Sequence, residues 1–320
     1  MKKNISVIII SVIVLTMIVL SFVLGFPSLN KLQMDTLIIL LIICGASALY
    51  CFVVGEISRN NSQMDKLWSI LPIVYTWVIA IKGNLDPRLT IYAIIVSLWG
   101  IRLTINFARK GAYSLKFWAG EEDYRWKVLR SKKPFNNKFL WALFNLFFIS
   151  IYQNALVLAI CLPSLVCMSS SSVLGVMDFI AILVALTFLL VESIADEQQM
   201  FFYRTRNKFL KEGKELKDIP EPFNKGFNTF GFWKRCRHPN YLGEQMIWIG
   251  LYLFVIGANQ TSYGIFNWSM VGPLLLVLLF LGSSTLGEKI SASKYPEYEQ
   301  YSNSVCRYLP LWDYNPNKKK

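Results

Sequence analysis

Histidine is nearly absent from this chain: His238 is the one example in 320 residues. A multi-histidine metal centre finds too few ligands here, and a triad built on histidine and a distant serine is poorly supported. Charge is also scarce. Asp, Glu, Lys and Arg make up 17% of the chain against 54% hydrophobic residues, well below the roughly 25% charged residues of a soluble domain. The six cysteines (44, 51, 161, 167, 236 and 306) include no C-x-x-C pair, and four lie inside apolar runs. They imply neither a disulfide framework nor a metal site and read as small packing residues. Phosphate-loop, dinucleotide-loop, zinc-protease and nucleophile-elbow motifs are all missing, so a nucleotide cofactor would not be held in a Rossmann domain.

What fills the chain instead is apolar sequence. Eight runs are candidate membrane spans: 4–26, 36–55, 67–82, 89–108, 139–167, 173–194, 244–258 and 267–287. About 20 helical residues cross a ~30 Å hydrocarbon core. The third and seventh runs are shorter, as suits tilted or re-entrant elements. The expected fold is an all-α integral membrane bundle of about eight helices (seven to eight) with a cytoplasmic cap. Run 4–26 follows Met1, Lys2 and Lys3 but is longer than the apolar core of a secretion signal and reads as a retained anchor.

The cations fix the expected orientation. Of 33 Lys and Arg, 29 fall in the N-terminus and segments 56–66, 109–138, 195–243 and 288–320. The positive-inside rule places these segments, and with them both termini, in the cytoplasm. The net charge of +13 expresses that asymmetry, so no nucleic-acid partner is expected.

Polar groups inside the spans carry the chemistry. Arg102 shares a helical stripe with Trp99, Asn106, Arg109 and Tyr113, which reads either as the wall of a polar cavity or as an arginine snorkelling to head groups. Glu192, Asp196, Gln199 and Tyr203 lie on one helical face running from the sixth span into the cytoplasm. A carboxylate at that depth is costly, which marks Glu192 as functional. In the fifth run, Tyr152, Gln153 and Asn154 point to a kink or break and to helix-packing contacts. Asp65, in "MDKLWS" at the start of the third span, reads as a buried acid able to donate a proton or as a helix cap.

The densest polar stretch is "KRCRHPNYLGE", 234–244. Lys234, Arg235 and Arg237 supply cations for phosphates, and Pro239 starts a helix whose N-terminus attracts anions. Asn240 and Glu244 can hydrogen-bond a ribose or an amide, and Tyr241 can stack on a flat ring. The stretch suits a cofactor carrying phosphates, sugars and an aromatic base.

This stretch resembles the R-H-P-N-Y-x-G-[ED] signature of membrane reductases related to steroid 5-alpha-reductase and of sterol double-bond reductases. "SQMDKLWSILP", "LWGIRL", "EEDYRW", "ESIADEQ" and "YPEYEQYSNSVCRYLPLW" resemble a bacterial-type branch of that family, often left as a domain of unknown function. The likeness divides the chain into two anchor spans at 1–58, a reductase-like domain at 59–312 and a basic tail at 313–320.

The resemblance implies NADPH as cofactor, held by Asp196, Arg235, Arg237, His238, Asn240, Tyr241, Glu244, Tyr298 and Tyr301. It implies hydride transfer to the activated C=C bond of a lipid, sterol-like or isoprenoid enone drawn from the bilayer, with Asp65, Trp99, Arg102 and Glu192 at the reacting end. Met200 and Tyr203 replace arginines of the steroid reductases, which argues against a steroid substrate. Isoprenylcysteine carboxyl and phospholipid methyltransferases share a similar R-H-P-x-Y-x-G turn. An S-adenosylmethionine-dependent methyltransferase is therefore the alternative, and a non-catalytic lipid-binding scaffold is a third class.

Overall fold

Helices form where the apolar runs stand. The computed structural model describes residues 2–24, 29–261 and 264–310. Its helices are α1 (Lys2–Leu24), α2 (Lys31–Ser58), α3 (Gln63–Leu67), α4 (Leu71–Lys82), α5 (Pro87–Ala108), α6 (Tyr124–Arg130), α7 (Lys138–Phe144), α8 (Gln153–Ala159), α9 (Leu162–Cys167), α10 (Val176–Lys211), α11 (Pro239–Gly257), α12 (Val271–Lys294) and α13 (Tyr298–Ser304). No strand occurs among the described residues, a backbone bridge between Cys236 and Cys306 apart.

Among the described residues, six stretches are long and apolar enough to cross a bilayer: Val7–Leu24, Lys31–Ser58, Pro87–Ala108, Lys138–Cys167, Val176–Lys211 and Trp268–Lys294. The chain is a multi-pass helical membrane protein. The third and seventh expected spans fall outside this set. Run 67–82 is divided because α3 forms a separate turn and Pro72 sits in the first turn of α4, where a missing N–H costs nothing. The 12 residues of α4 rise only about 18 Å. The seventh run lies in α11, which starts at Pro239 and has 19 residues.

The fifth run departs from regular α-helix next to its polar residues, without breaking at them. A π-helical segment, Asn145–Tyr152, follows α7, and Pro163 opens α9. Asn145 Nδ2 donates to Glu56 Oε1 of α2 at 2.6 Å, and Asn154 Nδ2 donates to the Ser150 carbonyl at 2.7 Å. The Asn145 bond ties this run to α2, where apolar contact alone brings little specificity in lipid, and the Asn154 bond stays within the run.

The chain divides into two compact units: Met1–Leu183 with Trp248–Leu276, and Val184–Ile247 with Val277–Lys320. The sequence boundary at 58/59 follows the family likeness rather than this packing, and 313–320 lies outside the described residues. In the first unit, Leu40, Tyr75, Ile79, Trp99 and Leu156 are among the fully buried residues. Gly100 lets α5 approach the turn before α4, since a Cβ there would stand 2.4 Å from the Ser69 carbonyl oxygen. Arg88 pins one end of this unit. It forks onto Asp178 at 2.7 and 3.0 Å and donates to the carbonyls of Ser172, Val173 and Gly257. In the second unit, Phe227, Tyr298, Tyr301 and Val305 form a buried cluster that docks the C-terminal segment.

Candidate functional site

Asp65 lies in the first turn of α3, behind Ser62 at the N-cap position, while Ile70 precedes α4, so Asp65 caps neither helix and stands half-buried. Trp126 of α6 donates its indole N–H to Asp65 Oδ2 at 3.0 Å. Three residues earlier, Asp123 receives a fork from Arg125 at 2.8 and 2.8 Å, and its own N–H donates to Ser62 Oγ at 2.9 Å. "MDKLWS" and "EEDYRW", separate in sequence, thus build one acidic centre. Burial pushes the Asp65 carboxyl above its ordinary range, and the charge on Asp123 adds to this. Arg125 and the hydrogen bonds from Ser62 and Trp126 oppose it. Burial also lifts Asp123, but Arg125, a backbone N–H and Lys110 outweigh it and leave this acid below its ordinary range. The proton affinities of the two neighbouring acids are thus driven apart, Asp65 upward and Asp123 downward. Sequence reading marked Asp65 but assigned no role to Asp123, Arg125 or Trp126.

Trp99 is fully buried in α5 and meets Trp248 edge to face, with ring centroids 5.1 Å apart. Arg102 is half-buried one turn on. These residues and Asp65 belong to the first unit. Glu192 and all the expected cofactor residues belong to the second.

Within the second unit those residues separate into two groups. One lies where α10 meets α11. Gly243 makes the approach possible, because a Cβ there would stand 2.6 Å from Cβ of Glu192. Glu192, Asp196 and Glu244 are all buried, and Asn240 Nδ2 donates to Asp196 Oδ1 at 3.2 Å. Asn240 Oδ1 is buried with no hydrogen-bond partner among the described residues. This is an acceptor-rich face.

The other group grips the C-terminal segment. Arg237 donates to both oxygens of Glu288, at 2.8 and 3.4 Å, and to the carbonyls of Ser302 and Val305. His238 Nε2 lies 3.0 Å from Glu288 Oε1, and Arg307 reaches Glu288 Oε2 at 3.1 Å. Tyr241 stacks on His238, with centroids 5.2 Å apart, and packs on Phe280 at 4.5 Å. Tyr301 donates to the Trp233 carbonyl at 2.5 Å, and Tyr298 packs against Phe227. Arg237, His238, Tyr298 and Tyr301 are therefore built into a clamp on the chain's own tail. Burial lowers the imidazole's affinity for a proton, and Arg237 and Arg307 add to this against the pull of Glu288. Lys234 and Arg235, beside the clamp, are exposed. Sequence reading missed Glu288, yet the rule that marked Glu192 applies to it: a carboxylate near the end of an apolar run is costly without a purpose.

Residues 51–305 match the family described as protein of unknown function DUF1295. The chain belongs to the DUF1295 family. Uncharacterized protein C594.04c of Schizosaccharomyces pombe is 35% identical over 261 residues, covering 78% of this chain and 72% of that one. The DUF1295 family is related to steroid 5-alpha-reductase-like membrane proteins. No solved structure matches this DUF1295 chain.

Proposed function

We propose that this protein is an NADPH-dependent membrane reductase acting on an activated carbon–carbon double bond of a lipophilic enone taken from the bilayer. The observation that carries the reading is the acceptor face of Asp196 and Asn240, flanked by Glu192 and Glu244, with Asn240 Oδ1 open to a donor. A nicotinamide carboxamide and ribose hydroxyls present such donors, and the exposed Lys234 and Arg235 suit the phosphates. The residues present fit the cofactor on these counts. NADPH, when bound, would supply the hydride. Arg237, His238, Tyr298 and Tyr301 serve it indirectly, by fixing the turn that carries Asn240.

The proton is assigned to Asp65. Asp123, held charged by Arg125, keeps that proton in place, and Trp126 orients the carboxyl. A neutral acid can hydrogen-bond a carbonyl oxygen and stabilise the enolate charge that develops there. The reading also includes eight crossings, with both termini and the cap on the cytoplasmic side, supported by the placement of 29 of the 33 cations.

Thermal unfolding of the purified protein tests the cofactor. NADPH should stabilise it and S-adenosylmethionine should not. A ligand that binds only the folded state contributes about 2.7 kcal/mol at a hundredfold excess over Kd. Stabilisation by S-adenosylmethionine alone would transfer the case to the methyltransferase reading.

A further inference from the structure

The segment "YSLKFWAG", 113–120, joins two features that are rarely combined: a tightly held backbone and outward-facing apolar side chains. Lys66, fully buried, donates from Nζ to the carbonyls of Phe117 and Ala119 at 2.7 and 2.6 Å. Gln63 Nε2 reaches the Trp118 carbonyl at 2.9 Å, and Asn60 Nδ2 reaches the Gly120 carbonyl at 3.0 Å. Four consecutive carbonyls are thus fixed by side chains from one short stretch of sequence. Tyr113 closes the loop by donating to the Lys66 carbonyl at 2.9 Å.

The side chains do the opposite. Leu115 is wholly exposed at 109%, and Trp118 is 52% exposed. Phe117 roots the loop between Tyr50 and Tyr113, at 6.3 and 6.1 Å. A loop bathed in water has no reason to present Leu and Trp on a rigid frame, because ordering costs entropy that exposed apolar groups do not offset.

Chain position indicates what covers it. The membrane helix α5 ends at Ala108, five residues before the loop, and α2 ends at Ser58, two residues before Asn60. The loop and its anchors therefore sit where two spans leave the bilayer. Lys110 and Lys116 are exposed around it. A leucine and a tryptophan on either side of an exposed lysine are the side chains that settle at the headgroup boundary.

We infer that loop 113–120 is an interfacial element that seats Leu115 and Trp118 in the lipid leaflet at which α2 and α5 end. The seat does not depend on the reductase reading. It shares a turn with Asp65, however, since the residue that pins the loop is Lys66.

The test uses the full chain in lipid nanodiscs, with a polarity-sensitive fluorophore on Leu115→Cys, on Trp118→Cys and, for reference, on Lys132→Cys at an exposed site. Background labelling is measured on the parent protein, whose cysteines are all buried except the half-buried Cys306. The seat predicts blue-shifted emission at 115 and 118, quenching by lipids spin-labelled near the headgroup, and little quenching by aqueous iodide, with the reverse at 132. Iodide quenching at 115 and 118 equal to that at 132 would overturn the inference. So would protection from iodide without lipid quenching, which would mean a protein surface covers the loop. Should Trp118→Cys disturb folding, Leu115→Cys alone decides, because its side chain touches nothing that the fold needs.

Discussion

Two charge clusters in this protein, each at least half-buried, have opposite compositions. In the first unit, two acids, Asp65 and Asp123, share one arginine, Arg125. In the second, two arginines and a histidine share one acid, Glu288. Burial disfavours charge in both, so each cluster sheds the charge it holds in excess. In the acid-rich cluster the proton affinity of Asp65 is raised. The cation-rich one keeps a proton off His238. The first arrangement raises the proton affinity of one acid beside a second whose affinity is lowered. The second leaves a closed set of ion pairs and carbonyl contacts, which is a fastening.

The comparison breaks most severely at its reactive end. Asp65→Asn keeps the shape and the bond from Trp126 but removes the proton that can be given up. Turnover should fall about 10²- to 10⁴-fold, the usual share of a general acid, with NADPH affinity unchanged. Equal turnover in wild type and variant, followed as NADPH oxidation with an enone substrate, would remove Asp65 from the chemistry.

Glu288→Ala attacks the fastening. Arg237 would be left buried without a counter-charge, a loss of about 3–5 kcal/mol when one partner of a buried pair is removed, and half-buried Arg307 would lose its partner too. The melting temperature should drop, and limited proteolysis should release the segment after α12. An intact tail would show that the aromatic cluster around Phe227 holds it alone.

Asp123→Asn sharpens the contrast. Removing the fixed charge frees Arg125 for Asp65, which should then ionise at lower pH. The alkaline limb of the pH–rate profile should move towards acid, and Asp123→Glu should restore it. A merely structural role would lower the rate without moving the limb.

The two clusters should also answer pH in opposite senses. His238 titrates below its ordinary value of 6.5, so the folded state binds fewer protons than the unfolded chain. The stability it contributes is present above about 6.5 and is lost as pH falls through the lowered value. Asp65 is raised, so its contribution is present at low pH and lost as pH rises through the raised value. Melting curves from neutral to mildly acidic pH should show a decline that His238→Gln flattens. An unchanged slope in that variant would assign the decline to another group.

Asn240→Ala should have the smallest effect. One neutral hydrogen bond contributes about 0.5–1.5 kcal/mol, which corresponds to roughly a two- to tenfold rise in the Kd for NADPH. Folding should be untouched. Wild-type affinity would remove Asn240 from the cofactor face.

The long apolar helices were legible in the sequence, because hydrophobic length and the position of prolines are local properties. Pro239 starts α11, and Tyr152 to Asn154 adjoin the π-helical segment in the fifth run. The acidic face of α10 was legible for the same reason, as Glu192 and Asp196 stand one turn apart. Burial is decided by the tertiary structure. Arg237, His238, Asn240 and Tyr241 are neighbours in one motif, yet Asn240 faces Asp196 whereas Arg237 and His238 face Glu288, some fifty residues on. Periodicity cannot reveal that division, because both sets occupy one turn and differ only in which distant helix receives them. The pairing of Asp65 with the Asp123 to Trp126 turn was hidden likewise. A side chain's proton affinity follows from the charges and solvent that folding places around it, and sequence spacing carries neither.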